Sequence, residues 1–599
     1  MSAIAGFLCW DAGRKEDILL QMLKALRQRG VHGLGEFRGE SVALGSVRCG
    51  GDEIQPLVKS IHGRQLAVVF SGEIYNEQEL IRELGGQGHR LILKSAPEIV
   101  LHSYIQWGER FVTRLRGVFS FAITDGTKLY LARDQMGVQP LFFYRYGGQL
   151  AFASQIKALF QYPGVSTVVD GEGVAELMAI LPARTPGYGV FRDLEELLPG
   201  HYLVYDGREC RTECYWRIMP RVHGENYEDT VAAVRELVRD AILSQNADGA
   251  NASMLSGGLD SSIVTGVLAR ELEKTGGRVH TFSVDFEENE RHFKSNLFQP
   301  ERDSSYAELM VLEKKTLHED CVISIDALSE AILPAMGFRD LPGMADIDAS
   351  LYLFCREIAG RTHAVFSGEC ADEVFGGYPW FYREELRNTG YFPWSRDMDY
   401  RESFLKKGIR LDLPGHVKAR YDAYMAALPE FPGDQDAKEL WKLFNLNLSY
   451  FGSNLVERTE RMSSHAGLMV RMPFADPALV EYVFSIPWEM KFKDGREKGL
   501  LRDAMREYLP EAIFARKKSP YPKTYHPRYE ERMRAMLGQV LEDGDAPIYE
   551  LVERQALMDL AEGTVARPWF GQLMAGPQLM AYMVQLNGWL REYDVRIRI

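Results

Sequence analysis

The chain is 599 residues long, 46% of them hydrophobic, with Gly and Pro at ordinary levels, so it is globular and long enough for two to four domains. Its formal charge of −14, from 84 acidic and 70 basic residues, leaves no overall basic footprint and excludes free nucleic acid and anionic membrane as expected partners. Seven scattered cysteines form neither a disulfide framework nor a paired CxxC metal pattern, which fits a reducing, cytoplasmic setting.

The N-terminus lacks the basic flank and apolar core of a signal peptide. Through the first two hundred residues, short apolar runs alternate with turn residues. "QLAVVFSGEIYN", "VFSFAITDGTKLYLARD", "QPLFFYRYGGQLAFAS" and "GHYLVYDG" read as strands, and "EDILLQMLKALRQRG" and "APEIVLHSYIQWGERFVTRL" as helices. This predicts α+β layers. From about residue 226 the pattern changes to helix "YEDTVAAVRELVRDAILSQ", strand "NASMLSGG", helix "DSSIVTGVLARELEKTGG" and strand "VHTFSVDF", a parallel α/β unit. Helices dominate thereafter. A polar, aperiodic stretch at 205–225 marks the boundary, giving domains 1–210 and 211–599. Near the end, "PWFGQLMAGPQLMAYMVQLNGWL" is uncharged, but Gly576-Pro577 and its amides make it a buried helix rather than a membrane span.

The sharpest motif is "SGGLDSS", Ser256 to Ser262, between a strand and a helix. Two glycines allow close backbone approach, and successive N–H groups with the helix N-terminus cradle an anion. The loop lacks a Walker lysine, so pyrophosphate held by backbone and hydroxyls is the expected product, with Asp260 available to Mg²⁺. A second loop, "FSGECADEVFGGY", offers Glu369, Asp372 and Glu373 at the C-terminal end of a strand. Asp372 can complete a Mg²⁺ site with Asp260, and Glu369 can take a proton from an amine. In "FARKKSPYPKTYHP", the Arg516, Lys517, Lys518 run can neutralise a departing pyrophosphate.

Together with "RMPFADPALVEY" and "KGLLRDAM", these motifs resemble the synthetase domain of asparagine synthetases and their relatives, the β-lactam synthetases and lasso-peptide cyclases. "GEIYN", "LRGVFSFAI", "LARDQMGVQPLFF" and "FASQIKAL" resemble the family's glutaminase domain. The resemblance implies an α+β N-terminal-nucleophile type sandwich joined to a helix-rich α/β PP-loop ATP pyrophosphatase-type synthetase domain. It also implies a ligase that uses ATP and Mg²⁺ to adenylate a carboxylate, which an amine then attacks. Carried over, Ser256, Gly257, Gly258, Asp260, Ser261, Ser262, Ser283 and Gly368 bind the nucleotide, with Ser283 beside the adenine. Asp260 and Asp372 bind the metal, Glu369 is the base, and Lys518 stabilises the reacting phosphate. The β-lactam branch uses a Tyr–Glu pair as base, and the tyrosine has no evident place here.

A working glutaminase of this family begins Met-Cys-Gly, and here Ser2 and Ala3 stand in that register. A serine with a free α-amine can still act as a nucleophile. The surroundings point the other way. Val31 and His32 replace Pro and Asp, Ser71 replaces the oxyanion-hole Asn, and Ala96 removes the carboxylate that pairs with glutamine's α-ammonium. Losing one oxyanion donor alone costs about 3 kcal/mol in other hydrolases. Arg48 and His32 read as structural residues, and Cys9 lies inside an apolar strand without an α-amine of its own. The first domain is therefore expected to be inactive. An amine not drawn from glutamine fits a lasso-peptide-type cyclase, in which a peptide Asp or Glu side chain is activated and precursor-processing proteins are partners. Met469, where many relatives have Glu, adds a hint of a changed acceptor pocket. The alternatives are asparagine synthesis from free aspartate and ammonia, and a silent binding homologue.

Overall fold

The computed structural model describes residues 2–9, 15–30, 33–48, 55–61, 64–294, 302–387, 389–563, 567–569, 574 and 576–599. They pack as two units, Met1–Asp170 with Pro186–Arg217, and Gly171–Thr185 with Ile218–Ile599. The chain thus passes between units three times, where a single cut at 210 had been expected. The segment 171–185 belongs to the second unit because its carbonyls are claimed there: buried Arg401 donates to Met178 O at 3.1 Å and Ala179 O at 3.0 Å, and the Tyr582 hydroxyl to Leu177 O at 2.9 Å.

The first unit holds two six-stranded antiparallel sheets. One runs in spatial order Leu194–Glu196, Phe142–Tyr146, Gln149–Ala153, Ala3–Leu8, Val42–Val47, Leu34–Arg38. The other runs Cys210–Cys214, His201–Tyr205, Leu129–Arg133, Gly117–Thr124, Arg64–Ile74, Leu57–Ile61. Strand periodicity sorts the side chains between two cores. Ala67 and Val69 pack with Ile4, Leu8 and Leu44 between the sheets, while Val68 and Phe70 pack with Leu80, Leu84, Ile99 and Val100 of the helices Glu77–Gly86 and Ala96–Trp107. On the far face, a Cβ on Gly45 would come 2.7 Å from Leu23 of the helix Lys15–Ala25, so the second helical layer sits directly on a glycine. The layers are helix, sheet, sheet, helix.

The second unit is built on a five-stranded sheet in spatial order Leu317–Ile323, His280–Phe286, Ala252–Met254, Ala364–Phe366, Met469–Arg471, all parallel. In chain order that is 3-2-1-4-5. The direction of winding therefore reverses between Ala252–Met254 and Ala364–Phe366, and loops leaving the carboxyl ends of those two strands part to leave a crevice. They are the loops that carry "SGGLDSS" and "SGECADE". Helices surround the sheet, and the uncharged C-terminal stretch, from Pro577 onward, lies in the largely buried helix Pro577–Glu592. Among the described residues no helix is long and apolar enough to cross a membrane, and six cysteines form no disulfide.

Candidate active site

The first loop is set by its glycines. Gly257 adopts φ 68°, and a Cβ there would come 2.4 Å from the Ala307 nitrogen, so no larger residue fits. Ser261 Oγ accepts from the Ser256 N–H at 3.2 Å, which curls the loop over the start of the helix Leu259–Glu273. The buried Ser262 hydroxyl has no protein partner among the described residues. Such an orphaned donor at a helix N-terminus suits a phosphate oxygen. Ser283 donates its hydroxyl to Leu255 O, so it fastens the loop to the neighbouring strand. Arg516 ties the loop from the other side: it reaches Ser256 O at 3.4 Å, pairs with Asp303, and stacks over the Tyr306 ring at 4.1 Å.

The second loop meets the first through Gly368, where a Cβ would lie 2.7 Å from the Ser261 nitrogen and 2.8 Å from Asp260 Cβ. That close approach puts Asp260 and Asp372 in one place. Between them stands Lys498, 2% exposed, whose Nζ is 2.8 and 2.7 Å from the two Asp260 oxygens and 2.6 Å from Asp372 Oδ1. Lys518 donates to Asp372 Oδ2 at 2.5 Å. Burial opposes ionisation of Asp372, but the two ammoniums outweigh it and hold its carboxyl well below the usual range. Burial opposes the charge on Lys498 as well, but the Asp260 and Asp372 carboxylates outweigh it and raise the ammonium above its ordinary value. Two carboxylates that converge on one buried cation have the donor chemistry of a Mg²⁺ site, so the residues present fit that ion. Gly377 is also forced, since a Cβ there would strike Asp372 Oδ1 at 1.8 Å.

Glu369 lies beside this cluster and accepts from Arg458 Nη2 at 3.2 Å, and Arg458 in turn lies over the Tyr521 ring at 5.4 Å. Burial pushes the Glu369 carboxyl above its ordinary value, with Arg458 pulling against it. Glu373 turns away into the interior, where it takes a 2.5 Å hydrogen bond from the Tyr378 hydroxyl and is pushed by burial to about 7. The basic run resolves into three environments: Arg516 is buried on the loop, Lys517 is exposed, and Lys518 is on Asp372. Met469 does not line the site. Its strand pairs Met469 with Ala364, at the end of the sheet opposite Glu369, which corrects the expectation of an altered acceptor pocket there.

Sequence reasoning missed Lys498, Arg458 and the clamp role of Arg516. Lys498 was visible only as part of "KGLLRDAM", with nothing to aim it at Asp260. Arg458 sits in the helix Ser453–His465, a segment not singled out from the sequence, where Glu457, Arg458, Glu460 and Arg461 are all buried.

In the first unit, the hydroxyl of Ser71 lies 2.5 Å from the Ser2 carbonyl and 2.8 Å from Gln139 Oε1. Its single proton is therefore engaged within the protein. Ala96 is buried at the start of its helix, Cys9 is 5% exposed, and the Arg48 N–H donates to Gly33 O at 3.0 Å. Val31 and His32 lie outside the described residues.

A phosphate-cradling loop and a carboxylate pair at the switch point of a parallel sheet, with an antiparallel two-sheet unit on the same chain, define an ATP-dependent carbon–nitrogen ligase with an amidotransferase-type domain. The family model described as asparagine synthase matches residues 233–591, and that of the glutamine amidotransferase domain matches residues 1–216. The chain belongs to the asparagine synthase family. It is 41% identical over 557 residues to Asparagine synthetase [glutamine-hydrolyzing] 3 of Bacillus subtilis, covering 91% of this chain and 90% of that one. It is 25% identical to Asparagine synthetase [glutamine-hydrolyzing] 1 of the same organism, over 92% of this chain and 90% of that one. Against the Asparagine synthetase [glutamine-hydrolyzing] of Pongo abelii it is 25% identical, over 86% of this chain and 83% of that one. Nothing in these comparisons supports the finer kinship with lasso-peptide cyclases or β-lactam synthetases, or a precursor-peptide partner, expected from the altered first domain.

Proposed function

We propose that the chain makes asparagine from free aspartate and ammonia at the expense of ATP, with a first domain that does not hydrolyse glutamine. The observation that carries the chemistry is the convergence of Asp260, Asp372, Lys498 and Lys518 beside the "SGGLDSS" loop. The choice of aspartate rests on the likeness to asparagine synthetases over nine-tenths of the chain.

In this reading the aspartate β-carboxylate oxygen attacks the α-phosphorus of ATP, and the bond to the leaving pyrophosphate breaks. Backbone N–H groups of Gly257 and Gly258 with the hydroxyls of Ser256, Ser261 and Ser262 hold the phosphates. Bound between Asp260 and Asp372, Mg²⁺ would neutralise phosphate charge during the transfer. Lys498 and Lys518 are aimed at the same place, so their ammoniums remain available to the pyrophosphate as its charge develops. Ammonia then attacks the acyl carbon, AMP leaves, and Glu369 takes the proton. A carboxyl whose proton affinity is raised by burial is suited to that task, and Arg458 holds its other oxygen in place.

Silence of the first domain is inferred from Ser71, whose proton is engaged by Ser2 O and Gln139, and from Ala96, whose methyl cannot hold an ammonium. The test is asparagine formation by the purified protein with ammonium or glutamine as nitrogen source. Ammonium should serve, and glutamine should yield no glutamate above background. Glutamate release that Ser2→Ala abolishes would refute the silent-domain reading, and failure of aspartate to drive AMP formation would refute the synthetase reading.

A further inference from the structure

Just past Asp372 the chain is turned back sharply, and the turn delivers an aromatic ring to the site. The helix Ala371–Phe375 stops at Gly376, which takes φ 78°. Gly376 and Gly377 both donate their N–H groups to Asp372 O, at 3.0 and 2.9 Å, so Tyr378 returns to the residue that holds Lys518. The tyrosine is then locked from three sides. Its hydroxyl donates to Glu373 Oε1 at 2.5 Å, its ring stacks on Trp380 with centroids 4.6 Å apart, and Phe451 meets it edge-on at 5.3 Å. Glu373 is 1% exposed, and its bond to the hydroxyl fixes the angle of the ring.

What the ring faces is Lys518. The backbone N–H of the lysine donates to Glu497 Oε1 at 3.1 Å, and its Nζ lies between Asp372 Oδ2, at 2.5 Å, and the Tyr378 ring, 5.2 Å from the centroid. An ammonium within about 6 Å of a ring face is attracted by the quadrupole of the ring. The two contacts act differently. A carboxylate competes with an arriving phosphate oxygen for the same N–H groups, whereas the ring attracts the cation as a whole and leaves those groups free. Lys518 can therefore turn from Asp372 to a phosphate without leaving the ring.

We propose that Tyr378 is a positioning residue for adenylation: its face holds the Lys518 ammonium where pyrophosphate charge develops, and Glu373 keeps the ring at that angle. This rests on the role of Lys518 in the function proposed above and deepens it. The ammonium matters most as the bond to pyrophosphate breaks, so loss of the ring face should lower kcat for ATP–pyrophosphate exchange and leave KM for ATP unchanged.

The test replaces Tyr378 of the full chain with phenylalanine and with its mono-, di- and trifluorinated analogues. Fluorine drains electron density from the ring face stepwise while the size of the ring changes little. From phenylalanine to the trifluorinated ring, kcat for aspartate-driven exchange should fall by about 2- to 30-fold, the span of cation–π contacts from exposed to desolvated sites. The dissociation constant of pyrophosphate with Mg²⁺, measured by calorimetry, should rise in the same order, and that readout needs no carboxylate substrate. In the Lys518→Met background both series should be flat, since a ring that acts through the lysine has nothing left to act on. A flat series with Lys518 in place, or an equal slope in the Lys518→Met background, would show that the ring only packs, and would overturn the inference. If Lys518→Met by itself changes neither exchange nor pyrophosphate binding, Lys518 is not at the phosphates and the inference falls with that assignment. If aspartate drives no exchange while the pyrophosphate series keeps its slope, the choice of aspartate falls and Tyr378 keeps its role.

Discussion

Replacing Lys498 with Met is the most direct physical test of the carboxylate pair. The substitution keeps the length of the side chain and removes an ammonium that is 2% exposed and within 2.8 Å of three carboxylate oxygens. Removing one partner of a buried ion pair typically costs about 3–5 kcal/mol, because the charges left behind remain desolvated. Lys518 still neutralises Asp372, so the lower end, about 3 kcal/mol, is the expected loss. A dication bound by the folded state alone restores stability as the logarithm of its concentration over Kd, about 2.7 kcal/mol at a hundredfold excess. Mg²⁺ should therefore return most of what the substitution removes. In the wild type it should add less, since it must first displace an ammonium. Urea unfolding of the full chain, followed through hydrogen exchange in the helix Leu259–Glu273, measures this in EDTA and across a Mg²⁺ titration without ATP. Wild-type stability of Lys498→Met in EDTA, or equal Mg²⁺ dependence in the two proteins, would show that Lys498 and the metal do not share a site.

Glu369→Gln should separate the half-reactions: pyrophosphate exchange continues, while amide formation falls about 10²- to 10⁴-fold, the usual contribution of a general base. Loss of both together would assign Glu369 to adenylation or folding. A third prediction concerns the first unit, where His102 is buried against Lys59 Nζ at 2.9 Å and His89 Nδ1 at 2.9 Å. Burial first, then the charges of Lys59 and His89, lower it from 6.5 to about 4. Since the folded state refuses a proton that the unfolded chain accepts, its stability contribution is complete above pH 6.5 and is lost as pH falls toward 4, up to about 3 kcal/mol. His102→Gln should flatten that slope in hydrogen exchange of the helix Ala96–Trp107. An identical pH profile for both proteins would refute the assignment.

Much of the fold and half of the site were legible in the sequence, and the division has a physical cause. Strand alternation from 64 to 74 and the helical run from 227 to 244 are local periodicities, readable because each side chain's direction follows from its own backbone. The glycine loop at 256–262 was legible for the same reason, since its contacts run over a few residues. A phosphate cradle, the acidic loop with Glu369 and Asp372, and the order strand, loop, helix all came from such short-range chemistry.

The groups that complete the site come from far along the chain. Lys498 reaches Asp260 across 238 residues, Lys518 reaches Asp372 across 146, and Arg458 reaches Glu369 across 89. No local pattern encodes such pairs. The charges of the helix Ser453–His465 carry no mark of burial in the sequence, because acids and bases look alike whether water or protein satisfies them, and only the packing around them puts them inside. Likewise, Asp346 is an ordinary helix-start acid by sequence. Among the described residues its Oδ1 is left unpartnered where Gln578 and Tyr529, more than 180 residues away, close around it, and burial pushes the carboxyl up to about 7, which nothing in the local sequence foretells.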